Sequence, residues 1–169
     1  MKRTTGFWGF LGRFTLLHVV TYVFFGFVFM YISNYAAAFQ TPALRDYMRP
    51  LDDPILALGI PLQIPRGALL ALALFPFRPV IVAGQWGWLK LWGVMWMLMG
   101  IGAVVAAPGT LEGLVYTKFG FGNPFVGLPE ITCQMLAFSW LLYVWERRID
   151  QRENSAATSI RSTVAHGNG

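Results

Sequence analysis

The chain has 169 residues, of which 56% are hydrophobic and only 12% carry a charge, and its mean hydropathy is +0.52. So few charged side chains cannot cover the surface of a soluble domain, which ordinarily has about twice that charged fraction. The composition therefore excludes an ordinary soluble enzyme, a disordered chain and a nucleic-acid-binding protein, and it predicts a membrane protein.

The first apolar stretch, residues 14–39, contains no formal charge. At about 1.5 Å per residue, a helix of this length more than crosses a hydrocarbon core of roughly 30 Å. Its basic start and the alanines at 36–38 also resemble a secretory signal peptide. However, it is longer than a signal sequence and further apolar stretches follow it, so it is predicted to be an uncleaved first span.

The second apolar stretch, residues 54–77, is preceded by Asp53 and begins with Pro54. Aspartate is a favoured N-cap residue and proline suits the first helical position, so this pair predicts the start of a helix. Pro61 and Pro65 each remove a backbone donor from that helix. A proline kink or break is therefore expected in its outer half.

Two further spans are predicted, over residues 91–111 and 128–145, with Glu130 in the first turn of the latter. The connection between them, residues 108–127, contains five glycines, four aromatic residues including Tyr116, and only two charges. It is too apolar for a solvated loop of its length, so it is expected to lie in the membrane interface or to dip back toward the bundle.

The distribution of Lys and Arg predicts the orientation. If both termini are cytoplasmic, nine of the 13 basic residues lie on the inner side and three on the outer side, which is a positive-inside bias. The inner residues are Lys2, Arg3, Arg13, Arg78, Lys90, Arg147, Arg148, Arg152 and Arg161, and the outer ones are Arg45, Arg49 and Lys118. Arg13, Arg78, Lys90, Arg147 and Arg148 are expected to anchor the spans to lipid headgroups.

The predicted fold is an all-α membrane protein with four transmembrane helices, both termini in the cytoplasm and a bacterial-type plasma membrane as its location. Residues 1–145 are predicted to form the four-helix bundle. Residues 146–169 are polar and rich in Ser, Thr and Asn, so they are predicted to form a disordered cytoplasmic tail.

Arg66 is the basic residue that neither side accounts for, because it falls near the middle of the second span. An unpaired guanidinium there costs at least a few kcal/mol, so it needs water, a lipid headgroup or a carboxylate. A break at the two prolines would open a water-accessible vestibule. Otherwise, Arg66 is expected to pair with Glu112 or Glu130. A polar site is therefore predicted at Arg66, Glu112, Glu130 and Tyr116.

The sequence contains few other groups that suit chemistry. Cys133 is the only cysteine, and the two histidines, His18 and His166, lie far apart in the chain. His18 is therefore interpreted as a hydrogen-bonded packing residue. No catalytic residue, cofactor or metal site is predicted, because phosphate-binding loops, Cys-x-x-Cys and HExxH motifs are all absent.

Three functions are compatible with this pattern. The first is a structural or accessory subunit that packs against a membrane-protein partner or against itself. The second is a transport or ligand-binding bundle with its polar site near Arg66. The third is a membrane enzyme that acts on a lipid or a quinone. Membrane lipids are expected partners in each case, and nucleic acid is not.

Overall fold

A computed structural model describes residues 6–46, 48–101, 116 and 127–167, and every element within those ranges is helical. The α-helices are α1 (Phe7–Ile32), α2 (Tyr35–Ala38), α3 (Pro42–Arg45), α4 (Gln63–Leu74), α5 (Arg78–Val82), α6 (Gly87–Trp96) and α7 (Leu128–Gly167). Short 3-10 helices cover Pro54–Gly59 and Phe75–Phe77, and a π-helical stretch, Met97–Ile101, continues α6.

Two stretches are long and apolar enough to cross a membrane, namely Phe7–Ile32 and Pro54–Val82. Only 17% of the most apolar window in each is buried, whereas the core helix of a soluble protein would be mostly buried. Both helices therefore present apolar surface that the described residues do not cover. The finer prediction of four spans remains a prediction, and most of the predicted outer connection lies outside the described residues.

Helix α1 packs through a stripe of residues spaced three or four apart, which is the repeat of one helical face. Its buried members are Phe10, Phe14, His18 and Thr21. This stripe contacts α4 and α7, and the rings of Phe14 and Phe138 meet edge to face with their centroids 4.8 Å apart. Phe10 and Phe14 are completely buried, so the N-terminal half of α1 is part of the core.

The contact between α1 and α4 depends on Gly67. A Cβ at this position would lie 3.2 Å from the Cα of Thr15 and 3.2 Å from Cδ2 of His18. The absence of a side chain thus lets the two backbones approach closely. This approach brings the start of α4, including Gln63 and Arg66, against the middle of α1.

Helix α7 extends beyond the predicted fourth span. The first turn or two after residue 145 were expected to continue the helix, and the structure continues it through Gly167; a disordered tail in solution stays a prediction. Neither glycine nor proline occurs between Glu130 and Gly167, so nothing in the chain interrupts the backbone hydrogen bonds. The buried face of α7 also continues, from Met135 through Phe138 and Leu142 to Glu146.

The predicted cap at Asp53 is present, but it begins the 3-10 helix Pro54–Gly59 rather than an α-helix. The Asp53 carboxylate accepts a hydrogen bond from the backbone N–H of Ile55 at 3.0 Å and another from Arg49 at 2.9 Å. The backbone N–H and then Arg49 favour the ionised carboxylate, so they hold the pKa of Asp53 below its ordinary value. Helix α4 begins only at Gln63, beyond Pro61.

Candidate functional site

A cavity of about 230 Å³ lies between α1, α4, α6 with its π-helical extension, and α7. Its polar walls come from three helices: α1 contributes His18 and Tyr22, α4 contributes Arg66, and α7 contributes Glu130 and Gln134. The apolar part of the lining is formed by Met95, Met99, Gly127, Ile131, Met135 and Phe138. We call this space the polar cavity.

His18 is held in place at one wall of the polar cavity. Its Nε2 donates to Oε1 of Gln63 at 3.3 Å, and Nε2 of Gln63 donates to the carbonyl of Gly59 at 2.9 Å. The second bond fixes which end of the Gln63 amide accepts from the histidine. His18 is buried and hydrogen-bonded, as predicted, although the sequence did not indicate that it borders a cavity.

Arg66 has an exposed side chain that borders the polar cavity. Among the described residues, no carboxylate oxygen lies within 4.0 Å of its guanidinium. Arg66 and Glu130 line the same cavity without pairing in the structure, and the expected pairing of Arg66 with Glu112 or Glu130 stays a prediction. Glu112 lies outside the described residues. Tyr116 is 74% exposed and does not line the cavity.

Glu130, at the start of α7, makes its contacts with α1 and α2. The hydroxyl of Tyr35 donates a hydrogen bond to Oε2 of Glu130. The other carboxylate oxygen faces the backbone of α1, since a Cβ at Gly26 would lie 3.8 Å from Oε1. Glu130 thus bridges α7 to the C-terminal end of α1 and to α2, and the sequence did not predict this role for Tyr35.

A second cavity, of about 250 Å³, lies on the other side of Glu130. It is bounded by the C-terminal half of α1 and by the 3-10 helix Pro54–Gly59, and we call it the apolar cavity. Most of its lining is apolar: Val23, Gly26, Phe27, Met30, Leu56, Gly59 and Ile60. Tyr22 and Glu130 line both cavities, so these two side chains form a shared wall.

A separate charged cluster lies near the opposite end of the α7 core face. Glu146 is completely buried, and its two oxygens accept hydrogen bonds from Nε of Arg13 at 2.6 Å and Nε of Arg78 at 2.7 Å. Glu146 is 16 residues beyond Glu130, which is about 24 Å along a helix. We call these three residues the arginine–glutamate triad; it joins α1, α5 and α7.

The triad changes the interpretation of two predicted lipid anchors. The side chains of Arg13 and Arg78 are only 16% and 11% exposed, and each is committed to Glu146 through its Nε. Lys90 and Arg148 are exposed, while Arg147 donates to the hydroxyl of Tyr143. Headgroup binding by all five basic residues remains a prediction, but Arg13 and Arg78 also have this internal role.

The described residues contain no group of three or more His, Cys, Asp or Glu side chains that could hold a metal ion. Cys133 is exposed, and Ser139 is completely buried with its hydroxyl lacking a hydrogen-bond partner in the part of the chain described. No family model, curated protein or solved structure matches the chain. Functional inference therefore depends on the geometry of the two cavities.

Proposed function

We propose that the chain is a multi-pass membrane protein whose polar cavity binds a small ligand through an anionic group at Arg66. The observation that carries this proposal is the guanidinium of Arg66, which borders the cavity with no carboxylate within 4.0 Å among the described residues. A guanidinium presents a rigid fork of donors that matches a carboxylate or phosphate. An anionic ligand would thus place a counter-charge next to the guanidinium, where no carboxylate of the described residues lies.

The membrane setting is supported by the apolar surface of α1 and of Pro54–Val82, which the described residues leave largely uncovered. The proposed location is a bacterial-type plasma membrane with both termini in the cytoplasm, as the positive-inside bias predicts. Arg13 pairs with Glu146 while Tyr35 pairs with Glu130, so the two ends of α1 meet opposite ends of the apolar part of α7. This antiparallel packing supports placing residues 13 and 146 on the same side of the bilayer.

Cysteine labelling tests the topology. In a Cys133→Ser background, Asp46→Cys and Ser155→Cys are expected to react with a membrane-impermeant maleimide from opposite faces of sealed vesicles. Both positions are exposed in the structure, so access is limited only by the bilayer. Labelling of both positions from the same face would contradict the four-span arrangement.

Arg66→Gln tests the ligand site. With glycerol 3-phosphate as the probe, we expect its affinity for the purified full-length chain to fall about 10- to 100-fold, the effect of losing charge-assisted hydrogen bonds. Arg66→Lys should retain part of the affinity because the charge remains. Isothermal titration in detergent measures both effects. Arg45→Gln, the same change at an exposed arginine that borders neither cavity, should leave the affinity unchanged.

A second candidate function is that of a structural or accessory subunit. It is favoured by the uncovered apolar surface of α1, which suits a partner helix or a second copy of the chain as well as lipid. Arg66→Gln separates the two functions. Loss of folded protein from the membrane would support a structural role for Arg66, whereas folded protein that no longer binds the probe supports the ligand site.

A further inference from the structure

The two cavities differ in character but are continuous in position. The polar cavity is lined in part by Arg66, whereas the apolar cavity is lined mainly by aliphatic, aromatic and glycine residues. Tyr22 and Glu130 border both spaces, so the two cavities adjoin at these residues. A molecule that extended past this shared wall would have one end beside a cation and the other end among apolar side chains.

The volumes favour one site rather than two. Small-molecule sites usually measure about 300–1,000 Å³. The polar cavity, at about 230 Å³, and the apolar cavity, at about 250 Å³, each fall below that range. Taken together they fall within it. A single elongated ligand therefore uses the available space better than two separate small ones.

We propose that the polar and apolar cavities form one binding site for a single-chain anionic lipid, whose phosphate or carboxylate binds Arg66 and whose chain occupies the apolar cavity. This inference rests on the proposed function, since it requires the ligand's anionic group to be at Arg66. The width of the apolar cavity is set by the absence of a side chain at Gly26 and Gly59, which face it from opposite walls. The site is proposed to take one chain because, among the described residues, the apolar cavity shares Tyr22 and Glu130 with the polar one.

The residues of the shared wall, Tyr22 and Glu130, also favour a particular head group on the lipid ligand. Glu130 lies where the head of the ligand meets its chain, and one of its oxygens already accepts from Tyr35. A hydroxyl or amide N–H at the join would donate to Glu130. A lysophospholipid with a free glycerol hydroxyl and a terminal phosphate has this order of groups, so oleoyl lysophosphatidic acid is a suitable probe.

The test compares this lipid with glycerol 3-phosphate, which has the same phosphate and glycerol but no chain. Each compound is radiolabelled, and its binding to the full-length chain in phosphatidylcholine nanodiscs is measured. The amount that binds to protein-free nanodiscs is subtracted. Referred to its free concentration in water, the lysolipid is expected to bind at least about tenfold more tightly, because moving as few as two methylene groups out of water has that effect on affinity. Arg66→Gln is expected to weaken the binding of both compounds.

Gly59→Leu separates the chain from the head. A Cβ at Gly59 has no neighbour within 4 Å, so a leucine there enters the apolar cavity and should remove the advantage of the lysolipid while leaving glycerol 3-phosphate binding unchanged. Gly26→Leu enters the same cavity from α1 and serves if the first variant does not fold; because its Cβ would lie 3.8 Å from Oε1 of Glu130, only the loss of the lysolipid's advantage is measured with it. Gly12→Leu is the matched control on α1. A Cβ at Gly12 would have no neighbour within 4 Å, and Gly12 lines neither cavity.

The outcomes distinguish the inference from the proposed function. If glycerol 3-phosphate binding depends on Arg66 but the lysolipid binds no more tightly, or if both cavity-filling variants leave its affinity unchanged, the single-chain lipid site is overturned and the anion site stands. If neither compound depends on Arg66, the proposed function fails and this inference fails with it.

Discussion

Replacing Glu146 by glutamine is expected to destabilise the protein by about 3–5 kcal/mol, the effect of removing one partner from a buried ion pair. The variant keeps nearly the same shape but leaves Arg13 and Arg78 facing each other without a counter-charge. Both guanidiniums are largely buried, and the Nη2 atom of each has no hydrogen-bond partner among the described residues. The measurement is the free energy of unfolding in mixed micelles titrated with a denaturing detergent.

Glu153→Gln is the matched control for this substitution. Glu153 lies two turns further along α7 and is partly exposed, so the same loss of charge should change the unfolding free energy by less than about 0.5 kcal/mol. A Glu146→Gln variant whose unfolding free energy stays within about 1 kcal/mol of the unmodified chain would show that the triad does not hold α1, α5 and α7 together.

A triple substitution tests the origin of the effect. With Arg13→Met, Arg78→Met and Glu146→Leu combined, no charge remains buried at this position, so much of the lost stability should return. Recovery in the triple variant would attribute the defect of Glu146→Gln to uncompensated charge. A triple variant as unstable as Glu146→Gln would instead point to lost packing around residue 146.

The sequence predicts the class of this molecule better than its polar contacts. Arg13 and Arg78 were placed at the same end of the bundle from the positive-inside bias, and the triad agrees with their proximity. Glu146 was assigned to the polar tail because the composition changes at that residue. A helical signal was nevertheless available, since Glu146 continues the spacing of Phe138 and Leu142 on one face.

The pairing itself could not be predicted from the sequence. Which carboxylate meets Arg13 depends on the register between α1 and α7, and that register is set by packing contacts such as Phe14 against Phe138. The same limit applies at the polar cavity. The sequence identified Arg66 and Glu130 as unusual, but the hydrogen bond from Tyr35 to Glu130 comes from a residue far away in the chain.

The junction of α5 and α6 is expected not to tolerate even a small added side chain at Gly87, the first residue of α6. At Gly87, an added Cβ would overlap the carbonyl oxygen of Ile81 and lie 2.8 Å from its carbon. Both are backbone atoms, so no side-chain rotation relieves the clash. Gly87→Ala should therefore destabilise the protein by about 3 kcal/mol, the upper end of overpacking effects in well-packed cores.

The destabilisation expected for Gly87→Ala also includes the loss of a contact between α7 and the turn that precedes α6. The hydroxyl of Tyr143 donates to the carbonyl of Gly84 at 2.8 Å, and Gly84 has a φ of +79°, in the left-handed region. The ring of Tyr143 would also lie 3.2 Å from the added Cβ. A backbone shift that accommodates alanine would thus move the turn away from Tyr143. The loss of the Tyr143–Gly84 hydrogen bond would then add to the destabilisation.

Gly93→Ala, on the same helix α6, is expected to have the opposite effect on stability to Gly87→Ala. A Cβ at Gly93 has no neighbour within 4 Å, so alanine gains helix propensity without a clash and should stabilise the protein by up to about 1 kcal/mol. The midpoint of thermal unfolding in detergent, followed by tryptophan fluorescence, measures both variants. Because the substitution is identical, a destabilised Gly87→Ala beside an unharmed Gly93→Ala isolates the close approach of Ile81. Equal effects at both positions would contradict the α5–α6 packing on which the position of Arg78 in the triad depends.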